Sequence, residues 1–349
     1  MRTKMLRFEA GLLLLIMGGL LSPLAGAATC TTQSNMTQAE RQSLVNTARN
    51  LAGDVQIGNV QAMQAKTIPA VASQFGAIAA AAERLKPDLL GATITVDSIY
   101  ALDASSEPQG SQQTEFYCGT PVVMLTFHNL PPGKYGLAIV HATGVQKPQQ
   151  MALILSETGQ NQWMLAGFIA RPMVEAGHDG IWYWQQARQY AQKSMNWNAW
   201  FYYQTAAYLL NPAQFLSSPN FQKLQHEMDQ TKPAGLPGEK PLMLNANGAM
   251  FQITGMGTTT EFGGLDLEVH YTPNPTQLAA LRNPVSARTQ VVQVMKGLLE
   301  TYPELRPAFH GIWVRANQGN AQVFALDLPM NQIEPGGRAS GVGAQGAGE

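Results

Sequence analysis

Tyr135-Gly-Leu-Ala-Ile-Val-His-Ala142, Gln150-Met-Ala-Leu-Ile-Leu-Ser156 and Gln162-Trp-Met-Leu-Ala-Gly-Phe-Ile169 decide the fold class. Each is an apolar run of strand length, rich in Val, Ile, Leu and aromatic residues. The connections between them, 144–148 and 157–161, are short. Short connections make consecutive strands antiparallel neighbours. Working back toward the N-terminus, Ile94 and Val96 alternate with Thr93, Thr95 and Asp97, a period of two. Residues 115–128 read as one further strand after the polar loop 105–110, and Pro131-Pro132-Gly133 marks a turn.

Before residue 90 the period is helical. Thr37-Gln-Ala-Glu40 fits a capping box, and Leu44, Ala48 and Leu51 follow at helical spacing. Gly53-Asp54 reads as a break, after which Val60 and Met63 share a face. Pro69 is placed to open another helix carrying Val71, Phe75, Ile78 and Ala82. Several helices followed by a meander give an α+β fold: N-terminal helices packed on a curved antiparallel sheet.

Residues 38–172 resemble the NTF2-like (cystatin-like) superfamily. The likeness is carried by Ala48…Gly53-Asp54, Pro69…Phe75 and the closing strand Trp163-Met-Leu-Ala-Gly-Phe168. It implies a cone whose helices and sheet often enclose a pocket, used by some members for catalysis and by many for binding or assembly. Enzyme members place Asp/His pairs inside the cone. No such pair is matched here, so no catalytic residue is carried over.

Residues 173–230 turn helical and aromatic. Ten of the 27 residues from 182 to 208 are Trp, Tyr or Phe, which makes this stretch either a packed interior or a stacking surface. Tyr183-x2-Gln186-Ala187-x2-Tyr190, then Ala199-x3-Tyr203, Ala206 and Pro212, resembles one tetratricopeptide repeat, with Gln186 where Leu is usual. One repeat does not stand alone, so a helical hairpin docked on a neighbouring unit is expected. Residues 231–240, with Pro233, Gly235, Pro237 and Gly238, read as a linker.

Residues 241–333 form a second, smaller α+β unit. Strands are expected over 250–255 and 265–271 around a Gly-rich turn, 255–264. Val291, Met295, Leu298, Leu299 and Tyr302 stripe a helix that Pro303 ends, and 310–315 and 322–328 close the unit around the turn 317–320. The Gly/Ala-rich tail, 334–349, reads as disordered.

Arg2, Lys4 and Arg7, the apolar run 11–21 and Ala25-Gly26-Ala27 have the order of a secretory signal peptide cleaved after Ala27. Without residues 1–27 the chain keeps 19 basic and 22 acidic residues and has no transmembrane segment long enough to span a bilayer. A periplasmic or extracellular location follows, and in that compartment Cys30 and Cys118 are expected to form a disulfide. Charged residues are only 13% of the whole chain, with 22 basic against 23 acidic, so no basic excess points to nucleic acid.

Candidate sites are few. Asp266, Glu268 and His270 share one strand face, which fits a metal or acid–base trio or, as expected here, a solvated strand face. His141 shares a face with Leu137 and Ile139 and would serve as a base if it pointed into the cone; His128 ends another strand. Trp182, Trp184, Trp197 and Trp200 would form a carbohydrate platform if exposed. The Gly-rich stretch 255–264 lacks the G-K-[ST] ending of a phosphate loop. No catalytic residue, metal ligand or cofactor is assigned. The leading expectation is an exported, non-catalytic protein that binds or scaffolds a protein or small molecule through the cone and the hairpin. The alternatives are an NTF2-like enzyme acting on a small hydrophobic substrate and a carbohydrate-binding protein.

Overall fold

The computed structural model describes residues 28–119 and 122–333; the expected leader, 1–27, and the expected disordered tail, 334–349, lie outside them. The first half runs β1 (Thr29–Thr32), α1 (Gln38–Ile57), α2 (Val60–Ala65), α3 (Pro69–Ala72), α4 (Gly76–Leu89), β2 (Thr93–Asp103), β3 (Gln113–Cys118), β4 (Val123–His128), β5 (Lys134–Thr143), β6 (Gln149–Gly159) and β7 (Gln162–Pro172). Five strands form one antiparallel sheet in the order β1-β2-β5-β6-β7. The fold is α+β.

The sheet is covered on both faces, which is why its central strands read as continuous apolar runs rather than alternating ones. On one face Leu44, Ala48, Leu51 and Val55 of α1, with Ala82 and Leu89 of α4, pack on Ala138, Val140, Met151, Leu153 and Leu165. On the other, Leu137, Ile139 and Ala152 meet Phe116, Leu125 and Phe127 of β3 and β4. The Cys30–Cys118 disulfide joins β1, at the edge of the large sheet, to the end of β3. That bond fits an oxidising compartment.

Several boundaries differ from the sequence reading. The Gly53-Asp54 break does not occur: α1 continues to Ile57 and ends at Gly58, whose φ of 73° makes it the left-handed cap. Helical neighbours hold Gly53 in the helix, at the ordinary glycine cost of about 1 kcal/mol. Thr37 caps α1 by accepting from the Glu40 N–H at 3.2 Å. The single helix expected after Pro69 is two, because α3 stops at Ala72 and α4 starts after Phe75. The single strand 115–128 is the hairpin β3–β4.

A short hairpin, β8 (Val174–Glu175) with β9 (His178–Asp179), leads into α5 (Gly180–Gln192), α6 (Asn196–Leu210), β10 (Leu216–Ser217) and α7 (Pro219–Gln230). Strand β10 extends the β3–β4 sheet, in the order β10-β4-β3. Asp179 caps α5 through the Trp182 N–H, and Ser218 caps α7 through the Phe221 N–H. Ala187, Ala199 and Ala206 are fully buried where α5 and α6 meet.

The last unit runs β11 (Leu242–Ala246), β12 (Ala249–Thr259), β13 (Asp266–Thr272), α8 (Pro275–Ala280), α9 (Pro284–Thr301), β14 (Gly311–Gln318) and β15 (Ala321–Pro329). The sheet order is β11-β12-β13-β14-β15. Pairs are antiparallel except β13–β14, which is parallel because α8 and α9 carry the chain across. The expected turn 255–264 is shorter, since β12 runs through Gly255 and Gly257 to Thr259 after a bulge. The inner face packs on α9 and on α6, so Trp197, Phe201, Tyr202 and Phe309 lie in one core with Leu267, Val269 and Val314.

Candidate functional site at the junction of the three units

The expected cone pocket is filled. Leu44, Leu51, Met63, Phe75, Met151, Leu153 and Trp163 are buried together between the helices and the sheet. His141 does not point into that space. Its alternation places it with Leu137 and Ile139 on the opposite face, where Nδ1 lies 3.8 Å from Asp97 Oδ1. His128 is exposed at the end of β4. Among the described residues, then, neither histidine faces the space between the helices and the sheet.

The tryptophan platform is also not formed. Trp197 and Trp200 are 5% and 7% exposed. Trp182 is half-buried and stacked on His178, ring centroids 3.6 Å apart. Trp184 donates its indole N–H to Glu227 at 2.7 Å, with Arg188 over its ring. Glu227 also takes two bonds from Arg188, at 2.7 and 2.8 Å, and one from the Tyr203 hydroxyl at 3.3 Å. The Arg188 bonds hold the Glu227 carboxyl below its ordinary range, against the opposing effect of burial. This cluster clamps α7 to α5 and α6. Glu227→Gln should lower stability by about 1 kcal/mol, read as a reduced urea midpoint, because the paired fork is partly exposed.

What the three units do enclose is a cleft. Its first recess, about 360 Å³, lies between Arg84, Leu85 and Asp88 of α4, Lys147 and Gln149 at the β5–β6 connection, and Glu175 of β8. Its second, about 480 Å³, is lined by Gln204 and Thr205 of α6, Thr258 and Thr259 of β12, Glu261 and Leu265. Both recesses share Glu175, Tyr208 and Thr260, so the two adjoin at that waist. The Thr260 hydroxyl donates to Glu175 Oε2, and the Tyr183 hydroxyl donates to the Glu175 carbonyl at 3.0 Å. Tyr208 is 46% exposed, with the Arg171 guanidinium 5.3 Å from its ring centre. Partial burial, and then the charge of Glu175, raise the Tyr208 phenol above its ordinary value, so it is neutral and able to donate at neutral pH.

Part of the polarity of the recess is unpaired. Among the described residues, Arg84, Asp88 and the Lys147 ammonium have no hydrogen-bond or ion-pair partner. Gln149, 3% exposed, forms part of the lining. Its amide N–H donates to the Lys147 carbonyl at 3.3 Å, and its side-chain oxygen has no donor. Sequence reading missed this site because its walls come from residues 84–88, 147–149, 175, 204–208 and 258–265, which no local pattern links.

The Asp266, Glu268 and His270 trio does lie on one face, but that face is a network rather than a solvated strand. Asp266 is fully buried, and His310 Nδ1 lies 2.9 Å from its Oδ1. Glu268 Oε1 sits 3.1 Å from His270 Nε2 and 2.8 Å from Arg315 Nε. The guanidinium of Arg315 in turn lies 3.4 Å from the Trp313 ring centre. The His270 hydrogen bond first, and the Arg315 charge with it, hold the Glu268 carboxyl low against the opposing effect of burial. Two glycines make the Asp266–His310 approach possible. A Cβ on Gly264 would fall 2.4 Å from the His310 side chain, and one on Gly311 would fall 2.7 Å from Asp266 Oδ1. The signal for Trp313 and Arg315 was present in the alternation of β14; the link to His310 needed the parallel β13–β14 pairing. Among the described residues no three His, Cys, Asp or Glu side chains are grouped to hold a metal ion.

Comparison with protein-family models, with curated proteins and with solved structures finds no match.

Proposed function

We propose that this is an exported, non-catalytic ligand-binding protein whose receptor site is the cleft at the junction of its three units. The observation that carries the reading is the shared waist: two recesses of about 360 and 480 Å³ meet at Glu175, Tyr208 and Thr260. Together they have the size and the convergent polar groups of a small-molecule site. The NTF2-like unit then serves as a filled scaffold that presents α4 and the β5–β6 connection. The tetratricopeptide-like hairpin supplies the wall carrying Tyr208. Export through a leader cleaved after Ala27 belongs to the same reading, and the disulfide supports it. No helix among the described residues is long and apolar enough to cross a membrane.

A thermal-shift screen of the chain from residue 28 against polar metabolites, glycans and peptides tests this. A ligand at about a hundred times its Kd should raise Tm by roughly 5 °C. Tyr208→Ala should remove that shift. A ligand whose shift survives both Tyr208→Ala and Glu175→Gln would place binding elsewhere and end the reading.

A further inference from the structure

We propose that the recess beneath α4 takes a zwitterion, the free ammonium and carboxylate of a short peptide. This deepens the cleft reading and rests on it. Four ionisable side chains surround one recess of about 360 Å³, two cationic (Arg84, Lys147) and two anionic (Asp88, Glu175). Among the described residues none forms an ion pair with another across it. Arg84 and Asp88 are four residues apart on α4 and still do not close on each other. Such spacing leaves both signs of charge available to a guest.

The floor fixes where the ammonium sits. Gln149 is 3% exposed, one of its two amide N–H groups donates to the Lys147 carbonyl, and among the described residues its oxygen accepts no hydrogen bond. An oxygen in the lining that no protein donor occupies is open to a ligand N–H. An ammonium placed against Gln149 Oε1 and the Glu175 carboxylate satisfies both. The carboxylate then meets Arg84 and Lys147 at the rim, where Arg offers a bidentate fork. The chain of the peptide continues past Tyr208 into the second recess, among Thr and Gln side chains suited to amide groups.

Other ligand classes fit less well. A phosphate dianion would meet Asp88 and Glu175 in the same recess. A sugar would need an open aromatic face, and Arg171 already lies over the Tyr208 ring. An acyl chain would have to desolvate all four charges.

The test is titration calorimetry with dialanine, N-acetyl-dialanine and dialaninamide. The second ligand lacks the ammonium and the third the carboxylate. Dialanine should bind, and each capped form should bind at least about tenfold more weakly, one charge-assisted contact being worth roughly that factor. The double substitution Arg84→Ala/Lys147→Ala should weaken dialanine about tenfold and leave dialaninamide unchanged. Glu175→Gln should weaken dialanine and leave N-acetyl-dialanine unchanged. Arg84 and Lys147 are exposed, so circular dichroism of the double variant should match the parent. Equal binding of the capped peptides, or no binding of dialanine at millimolar concentration, would overturn the zwitterion. If another ligand then binds in a Tyr208-dependent way, the cleft reading survives that failure; if none does, both fall.

Discussion

Cys30→Ala/Cys118→Ala should lower the folding stability of the chain from residue 28 by about 4–5 kcal/mol. The disulfide spans a sequence separation of 88, and in the chain-entropy account closing a loop of that length is worth about that much. What the bond joins makes the loss hard to recover. Strand β1 is only four residues, holds the sheet edge through β2 alone, and begins at the first described residues. Its partner Cys118 is 1% exposed, in the core shared by Phe116, Leu125 and Leu137, so the bridge pins the small sheet over the large one. Without it, β1 frays first and the β3–β4 hairpin loses an anchor, while α9 and the C-terminal sheet are untouched. Urea unfolding of the two proteins without reductant measures the difference. Hydrogen exchange should show residues 29–32 and 113–118 losing protection before residues 291–299. A midpoint change equivalent to less than about 1 kcal/mol would show that the strand pairing, and not the bond, holds this corner.

The α+β class was legible because strands β5, β6 and β7 are long apolar runs with short connections, a pattern with few alternatives. The helical half was legible in its caps and less so in its breaks. Gly53 looks like punctuation, but a single glycine interrupts a helix only where no packing holds its neighbours, and Leu51, Ala52 and Val55 are all fully buried. The aromatic block was ambiguous for a physical reason. Helix α6 is apolar all round, which fits a buried helix and a stacking surface equally until its neighbours are known; α5, α7 and the C-terminal sheet surround it. The low charge fraction has a structural counterpart, since two sheets carry three largely covered faces. The cleft was not legible. A site built where units meet depends on tertiary placement, and Arg84, Lys147 and Tyr208 are individually unremarkable. The trio at Asp266 was found, but the burial of Asp266 was not, because His310, just before β14, and Asp327, on β15, approach it from elsewhere in the sheet.

That buried network carries the second large effect, a stability that falls as pH rises. Asp327 stands opposite Trp313 on the outer face of the C-terminal sheet, and Asp266 lies on the same face two strands away. Asp266 Oδ2 and Asp327 Oδ1 are buried with no hydrogen-bond partner. Burial first, and then the Asp266 charge, push the Asp327 carboxyl up to about 6, while the His310 charge acts weakly against this. Asp266 is itself raised by burial, despite its His310 bond. The sign follows from linkage. A carboxyl that holds its proton more tightly in the native state stabilises it fully below the unfolded value of 3.8. That contribution is lost as pH climbs through about 6, where the native state must carry two neighbouring buried negative charges. Glu268 and Glu227, held low by His270 and Arg188, act in the opposite sense and are lost toward acid pH. Asp327→Asn isolates the first effect. The variant should match the parent near pH 4 and exceed it by about 1–2 kcal/mol at pH 8, the partial exposure of the site limiting the gain. Urea unfolding from pH 4 to 8 reads the divergence, and carbon NMR of the parent reads the Asp327 titration directly. Parallel stability curves together with an Asp327 midpoint near 4 would mean that water reaches both carboxylates, and that the network on this face is held by Glu268, His270 and Arg315 alone.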